Sequence, residues 1–176
     1  GKLFTFLPIG DVAHRVNLMS AILGAAGVLL LYAIVRMLAS KLAPRAVSRL
    51  ASTFAALSFA FSRTFWSQTG IAEVYAPNVF MVALTMLLLL VWARVEERDR
   101  GQSPTGGPWW RRLTPSRRSL ALLGAMGLSF GLSLGTHMSN LGFAPGYALF
   151  ILLVSWRTAV SPAGVSSELL VRENVA

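Results

Sequence analysis

Residues 16–35 read VNLMSAILGAAGVLLLYAIV, a run with no charged side chain. A helix of twenty residues rises about 30 Å, which matches the hydrocarbon core of a bilayer. Working outward from this run, four more apolar stretches come close to the same length. They are residues 50–66, interrupted only by Arg63, residues 76–93 with the dense core MLLLLV, residues 119–135 and residues 141–156. None alternates apolar and polar side chains as the strands of a membrane barrel do. The pattern predicts an all-α, polytopic transmembrane helical bundle of about five spans, a single membrane domain filling 1–176.

Composition excludes the soluble alternatives. Of 176 residues 55% are apolar and only 13% charged, where a soluble domain carries about 25% charged residues. That leaves no room for a disordered tail or an ordinary soluble enzyme core, and the absence of cysteine removes disulfide scaffolds and thiolate metal sites. A net charge of +9 would suit a nucleic-acid partner on a soluble fold. Here the basic residues cluster between the apolar runs, so no nucleic acid is expected. The chain begins with Gly1 and shows no basic-then-apolar secretion signal, and it is read as a fragment of a longer protein.

Charge also orients the spans. With five spans, one side receives Arg36, Lys41, Arg45 and Arg49, the seven arginines of residues 94–118, and Arg157 and Arg172. The other side receives only Lys2, Arg15 and Arg63. The positive-inside rule places the first set in the cytoplasm. The expected location is an integral membrane one, a bacterial inner membrane, with the N-terminus outside and the C-terminus cytoplasmic. Trp66 and Tyr75 then mark the outer interface, and Trp92, Trp109, Trp110 and Trp156 the inner. Residues 94–118, with the linker GQSPTGGP, are expected to form a cytoplasmic loop. Gly127, Gly131 and Gly135, with Gly124 before them, share a helix face and are expected to pack closely within the chain, a dimer seam being the alternative. The pair Gly24 and Gly27 reads the same way.

Polar residues at the ends of spans are the candidates for chemistry, because their burial in a membrane is costly. On the outer side they are Asp11, His14, Arg15 and Asn17, then Arg63, Gln68, Glu73 and Asn78, then Thr136, His137, Ser139 and Asn140. Each has a plainer role available. Glu73 can be a solvated loop carboxylate, His137 can satisfy a backbone carbonyl, and Arg15 and Arg63 can anchor spans by snorkelling. Asp11 can cap a helix. No metal-ligand spacing, nucleophile elbow or phosphate loop occurs.

Three stretches carry a resemblance: GKLFTFLPIGDVAHRVNLMSAILG, FAFSRTFWSQTGIAEVYAPNVF and GLSLGTHMSNLGFAPGYALF. They resemble the domain of unknown function 2723 family, which is related to protein O-mannosyltransferases and belongs to the GT-C class of membrane glycosyltransferases. The resemblance runs from Gly1 to about Trp156 and makes the chain part of a GT-C-type membrane domain. It implies transfer of a sugar, mannose or similar, from a polyprenyl-phosphate donor to a protein Ser or Thr hydroxyl on the non-cytoplasmic face. The implied partners are that donor, a protein acceptor and the bilayer. The cofactor stays open, a divalent metal among the options. The acidic catalytic loop of such enzymes, with the general base, is expected upstream of Gly1, so the segment alone is expected to be inactive. Within the segment Glu73 is the catalytic candidate, as a second acid, a ligand for metal-bound water or an orienting partner for an arginine. His137, Arg15, Arg63, His14, Trp66, Tyr75 and Asn140 are the candidates for binding substrate, the cations for the lipid phosphate and the aromatics for a sugar ring. A multi-spanning secondary transporter or channel component is the competing reading; it favours polar groups at mid-membrane, whereas here they gather at span ends.

Overall fold

The computed structural model describes residues 2–6, 8–69, 74–101 and 114–160, and every element among them is helical. A one-turn helix α1 (Lys2–Thr5) precedes α2 (Val12–Ala39), which contains the run at 16–35. Asp11 caps α2, its Oδ1 accepting the His14 backbone N–H at 2.7 Å. Helices α3 (Arg45–Ala60) and α4 (Arg63–Thr69) follow, then α5 (Tyr75–Gly101), α6 (Arg117–Thr136), a 3₁₀ segment (Met138–Phe143) and α7 (Ala144–Val160).

Among the described residues four helical segments are long and apolar enough to cross a membrane: Val12–Ala39, Tyr75–Arg100, Arg117–Thr136 and Met138–Ala159. The expected span at 50–66 is not among them. Its residues fold as α3, 16 residues and about 24 Å long, followed by a break at Phe61 and Ser62. The Phe61 backbone leaves the helical region (φ −95°, ψ 8°), and the Ser62 backbone N–H and hydroxyl both turn back onto the Phe59 carbonyl. The helix restarts with the Trp66 N–H on the Ser62 carbonyl, at 2.9 Å.

A second departure lies at 94–118, expected as loop. Helix α5 continues through Arg94 to Gly101, and α6 begins at Arg117. Residues 102–113, which hold Trp109 and Trp110, lie outside the described residues.

The chain divides into two compact units, Gly1–Leu87 with Met126–Asn140 and Leu88–Ala125 with Leu141–Ala176. In the first, α2 packs along α3 and also touches α1 and α4. The α2 face that makes these contacts carries Ser20, Gly24, Gly27 and Ile34. A Cβ at Gly24 would sit 2.6 Å from the Thr69 Cγ2, and one at Gly27 would sit 3.3 Å from a Val79 methyl. The GAAG reading is thus borne out: small residues let α4 and the start of α5 approach the middle of α2. Helix α3 turns Ser48, Ser52 and Ala56 inward, and the Arg36 guanidinium donates to the Ser48 hydroxyl at 2.7 Å. Thr85 and Ser129 join α5 to α6 by a hydroxyl pair at 2.9 Å.

In the second unit the Trp92 indole N–H donates to the Ser119 hydroxyl, which donates to the Glu96 carboxylate; Arg100 closes the set by pairing with Glu96. Glu96 is 3% exposed and Trp92 1%. Trp92, expected at the interface, is instead buried because this set gives its N–H a partner inside. The glycines of α6 differ from expectation as well: a Cβ on Gly124, Gly127, Gly131 or Gly135 would meet nothing within 4 Å.

Burial is inverted relative to a water-soluble protein. Ser20, Ser48, Ser52, Thr85, Ser119, Ser129, Ser133 and Asn140 are buried, whereas Leu29, Leu50, Phe54, Leu128 and Leu152 stand exposed. In lipid such exposure costs nothing, and small hydroxyl residues supply close packing and interhelical hydrogen bonds.

The Gly24 contact gives a test. Gly24→Ala should lower the stability of the detergent-solubilised protein by about 1–3 kcal/mol through overpacking. Adding Thr69→Ser should recover part of the loss, read from paired thermal unfolding curves.

Candidate functional site

Three groups of polar residues were expected to converge at one end of the bundle. The first is built at the start of α2. Gly10 adopts a left-handed conformation (φ +54°), and the His14 ring lies so close over it that a Cβ there would be 2.9 Å from the His14 Cδ2. The Arg15 guanidinium is wholly engaged by main chain: Nε donates to the Ile9 carbonyl at 2.8 Å, and the terminal nitrogens donate to the carbonyls of Thr5 (2.6 Å) and Gly10 (3.0 Å). Arg15 therefore ties the chain before α2 into a ring above the helix. His14 is exposed, and its ring makes no hydrogen bond among the described residues.

The second group lies on α4 and the start of α5. Arg63 opens α4, is exposed, and has no hydrogen bond or ion pair among the described residues. Trp66 is 65% exposed, and its ring stacks on Phe61 with centroids 5.8 Å apart and planes 19° apart. Tyr75 begins α5 and is exposed. Pro77 fits the first turn of α5, where its missing N–H loses no intrahelical bond. Glu73, the catalytic candidate, lies outside the described residues.

The third group is the turn from α6 into the 3₁₀ segment. The His137 Nδ1 is 2.6 Å from the Ser139 hydroxyl, and both residues are exposed. Asn140 is 2% exposed; its amide donates to the Asn78 Oδ1 at 2.6 Å and to the Ser133 carbonyl at 3.0 Å. The same Asn78 oxygen receives the Thr136 hydroxyl at 3.1 Å.

The second and third groups thus meet: Asn78, at the start of α5, is the acceptor around which Thr136 and Asn140 close. The first group stands apart from them along α2. Thr69, at the end of α4, touches α2 at Gly24, nine residues beyond Arg15 and so about 14 Å farther along the helix axis. The Asn140 amide nitrogen is taken by its neighbours and holds the turn together, whereas His137 and Arg63 are exposed and, among the described residues, keep donor positions without a partner.

Two further groups stand out, one at Ser20, which the residue pattern did not mark, and one at Gln68, expected among the outer-side candidates. The Ser20 hydroxyl and the Gln68 carbonyl oxygen are buried without a hydrogen-bond partner, on the α2 face and the helix that meet at Gly24. Nothing in the spacing marks Ser20, because a serine inside an apolar run reads as a tolerated small residue. Among the described residues no cluster of His, Cys, Asp and Glu could hold a metal ion.

Long apolar helices, inverted burial and polar turns at helix ends define a segment of a polytopic helical membrane protein. Its residues 1–160 match the family described as the Protein O-mannosyl-transferase TMEM260 N-terminal domain, and the chain belongs to that family. The mouse Protein O-mannosyl-transferase TMEM260 is 38% identical to it over 85 residues, which are 48% of this chain and 11% of the relative. The match therefore spans only about a tenth of the length of that curated relative. No solved structure matches the chain.

The Asn78 cluster predicts coupled behaviour. Asn78→Leu and Asn140→Leu should each destabilise the protein by about 0.5–1.5 kcal/mol, since each removes the part-buried hydrogen bond between the two side chains. The double variant should cost less than the sum of the two, measured as a double-mutant cycle in unfolding.

Proposed function

We propose that this chain is the part of a membrane glycosyltransferase that receives a lipid-linked sugar on the non-cytoplasmic face. The donor is a polyprenyl-phosphate sugar, mannose or a similar hexose, and the acceptor is a Ser or Thr hydroxyl of a protein. Membership in the TMEM260 N-terminal family carries this reading. In this reading α3 and α4 together recross the membrane, and the uneven distribution of basic residues then supports an orientation with the start of α2, the α4–α5 connection and the turn at 137–140 facing outward.

In the reaction the acceptor oxygen bonds to the anomeric carbon, and the bond from that carbon to the phosphate oxygen breaks. Its electron pair leaves on the polyprenyl phosphate, while the acceptor's proton passes to a carboxylate. Negative charge grows on the leaving phosphate, so donors fixed at the outer interface stabilise the transition state. His137 and Arg63 suit this role because both are exposed and keep unused N–H groups. Arg15 and Asn140, spent on carbonyls and side-chain amide, act as positioning residues. Trp66 and Tyr75 border the sugar, and His14, in the separate group at the start of α2, is given no contact with it. Glu73 serves as the carboxylate contributed by this segment, either taking the proton or orienting the group that does.

The test uses the full-length protein in proteoliposomes with a polyprenyl-phosphate mannose donor and a Ser/Thr-containing acceptor peptide. Glu73→Gln and His137→Ala should each lower transfer by about a hundredfold or more, the scale of losing an acid–base or charge-stabilising group. Membrane insertion and thermal stability should stay at wild-type values. Wild-type transfer in both variants would defeat the assignment.

A further inference from the structure

We propose that the outward face of α3 and the break that follows it are the docking surface for the donor's lipid carrier. The polyprenyl chain lies along Leu50, Phe54, Leu57 and Phe61, and Arg63 receives the phosphate. This rests on the reading that the donor is a polyprenyl-phosphate sugar, and it adds where on the chain that lipid is held.

Helix α3 is amphipathic in the reverse sense. Its packed face is Ser48, Ser52 and Ala56, while Leu50, Phe54 and Leu57 are 71%, 76% and 50% exposed. With Phe61, 70% exposed, these residues recur at helical spacing and form one stripe about 16 Å long. Residues 50–62 contain no charge, so nothing along the stripe repels a hydrocarbon chain.

The stripe ends in a built feature. The break at Phe61 and Ser62 lets Trp66 fold back, so that its ring stacks on Phe61 and the two exposed rings form a single platform. Between them in sequence stands Arg63, exposed and without a hydrogen bond or ion pair among the described residues. The arginines at positions 15, 36 and 100 are by contrast each committed to carbonyl, hydroxyl or carboxylate oxygens. A guanidinium with no partner among the described residues, at the end of an apolar stripe, is matched by a lipid phosphate, with which it forms paired charge-assisted hydrogen bonds. The flat aromatic platform beside it offers a π face to the C–H face of a sugar, which selects a glycosylated carrier over a bulk phospholipid.

The experiment uses full-length protein in nanodiscs with a photoactivatable polyprenyl-phosphate mannose. Cross-links should map to residues 50–61, and unlabelled polyprenyl phosphate should compete where phosphatidylglycerol does not. Arg63→Gln should raise KM for the donor about tenfold, and raise it more than it lowers kcat, with Arg63→Lys recovering part of the loss. Phe61→Leu combined with Trp66→Leu should weaken labelling by the mannosylated lipid more than labelling by polyprenyl phosphate alone. Cross-links elsewhere, competition by phosphatidylglycerol, or an unchanged KM in Arg63→Gln would overturn the docking surface while leaving the transferase reading standing. Absence of transfer from any lipid-linked sugar in the wild type would instead remove the transferase reading, and the cross-link map would still decide where the lipid lies.

Discussion

A bilayer interior offers no hydrogen bonds, and the structure depends on that constraint. Buried polar groups are driven to find partners within the chain, as most here do, while apolar side chains lose nothing by facing outward. The result is a molecule whose packed faces are Ser48 and Ser52 on α3, Thr85 on α5 and Ser129 and Ser133 on α6, with leucine and phenylalanine turned away from them. Hydroxyl groups reach back to carbonyls on their own helix or across to a neighbour, as Thr85 does with both the Met81 carbonyl and Ser129. Small side chains serve twice, since they satisfy hydrogen bonds and permit close approach. The glycines of α2 extend the same principle by admitting α4 and the second turn of α5.

The same constraint explains where irregular backbone occurs. Helices α3 and α4 are separated by a two-residue break whose N–H groups turn back onto the Leu57 and Phe59 carbonyls, while the Ser62 carbonyl accepts the Trp66 N–H. That break puts an arginine and a stacked aromatic pair together at the end of an apolar stripe. The α6 turn is handled differently, with Asn78 acting as a shared acceptor for Thr136 and Asn140. One interruption leaves its cation without a partner among the described residues, and the other engages the Asn140 amide N–H groups. This contrast separates groups able to meet a ligand from groups that hold the framework.

Much of the candidate site was legible in the sequence as residue types at span ends, but their roles were not. Asp11 read as a possible cap, and it is one. Arg15 and Arg63 looked alike, two arginines on the side poor in basic residues; only the fold separates a guanidinium wrapped by three carbonyls from one left open. Asn140 looked like a binding group and is buried. The His14 and Arg15 group stands about 14 Å along α2 from the point where α4 meets it, because helical rise accumulates between Arg15 and Gly24. Ser20 gave no signal and Gln68 was marked only as a polar residue near a span end, since whether a polar atom is orphaned depends on what packs over it.

By itself, the sequence determined the helical membrane class, the approximate position of four of the spans and the asymmetry of charge, because these follow from local hydropathy and from residue counts. It carried the family resemblance as well, through short stretches of matching residues. Tertiary structure alone decided that the run at 50–66 breaks after Ala60, that α5 continues past Arg94 around a buried Glu96, and that Trp92 turns inward. Each of these turns on a partner distant in sequence, such as Ser119 for Glu96 and Trp92, or on the close contact between Gly24 and Thr69. No window of local hydropathy contains both members of such a pair.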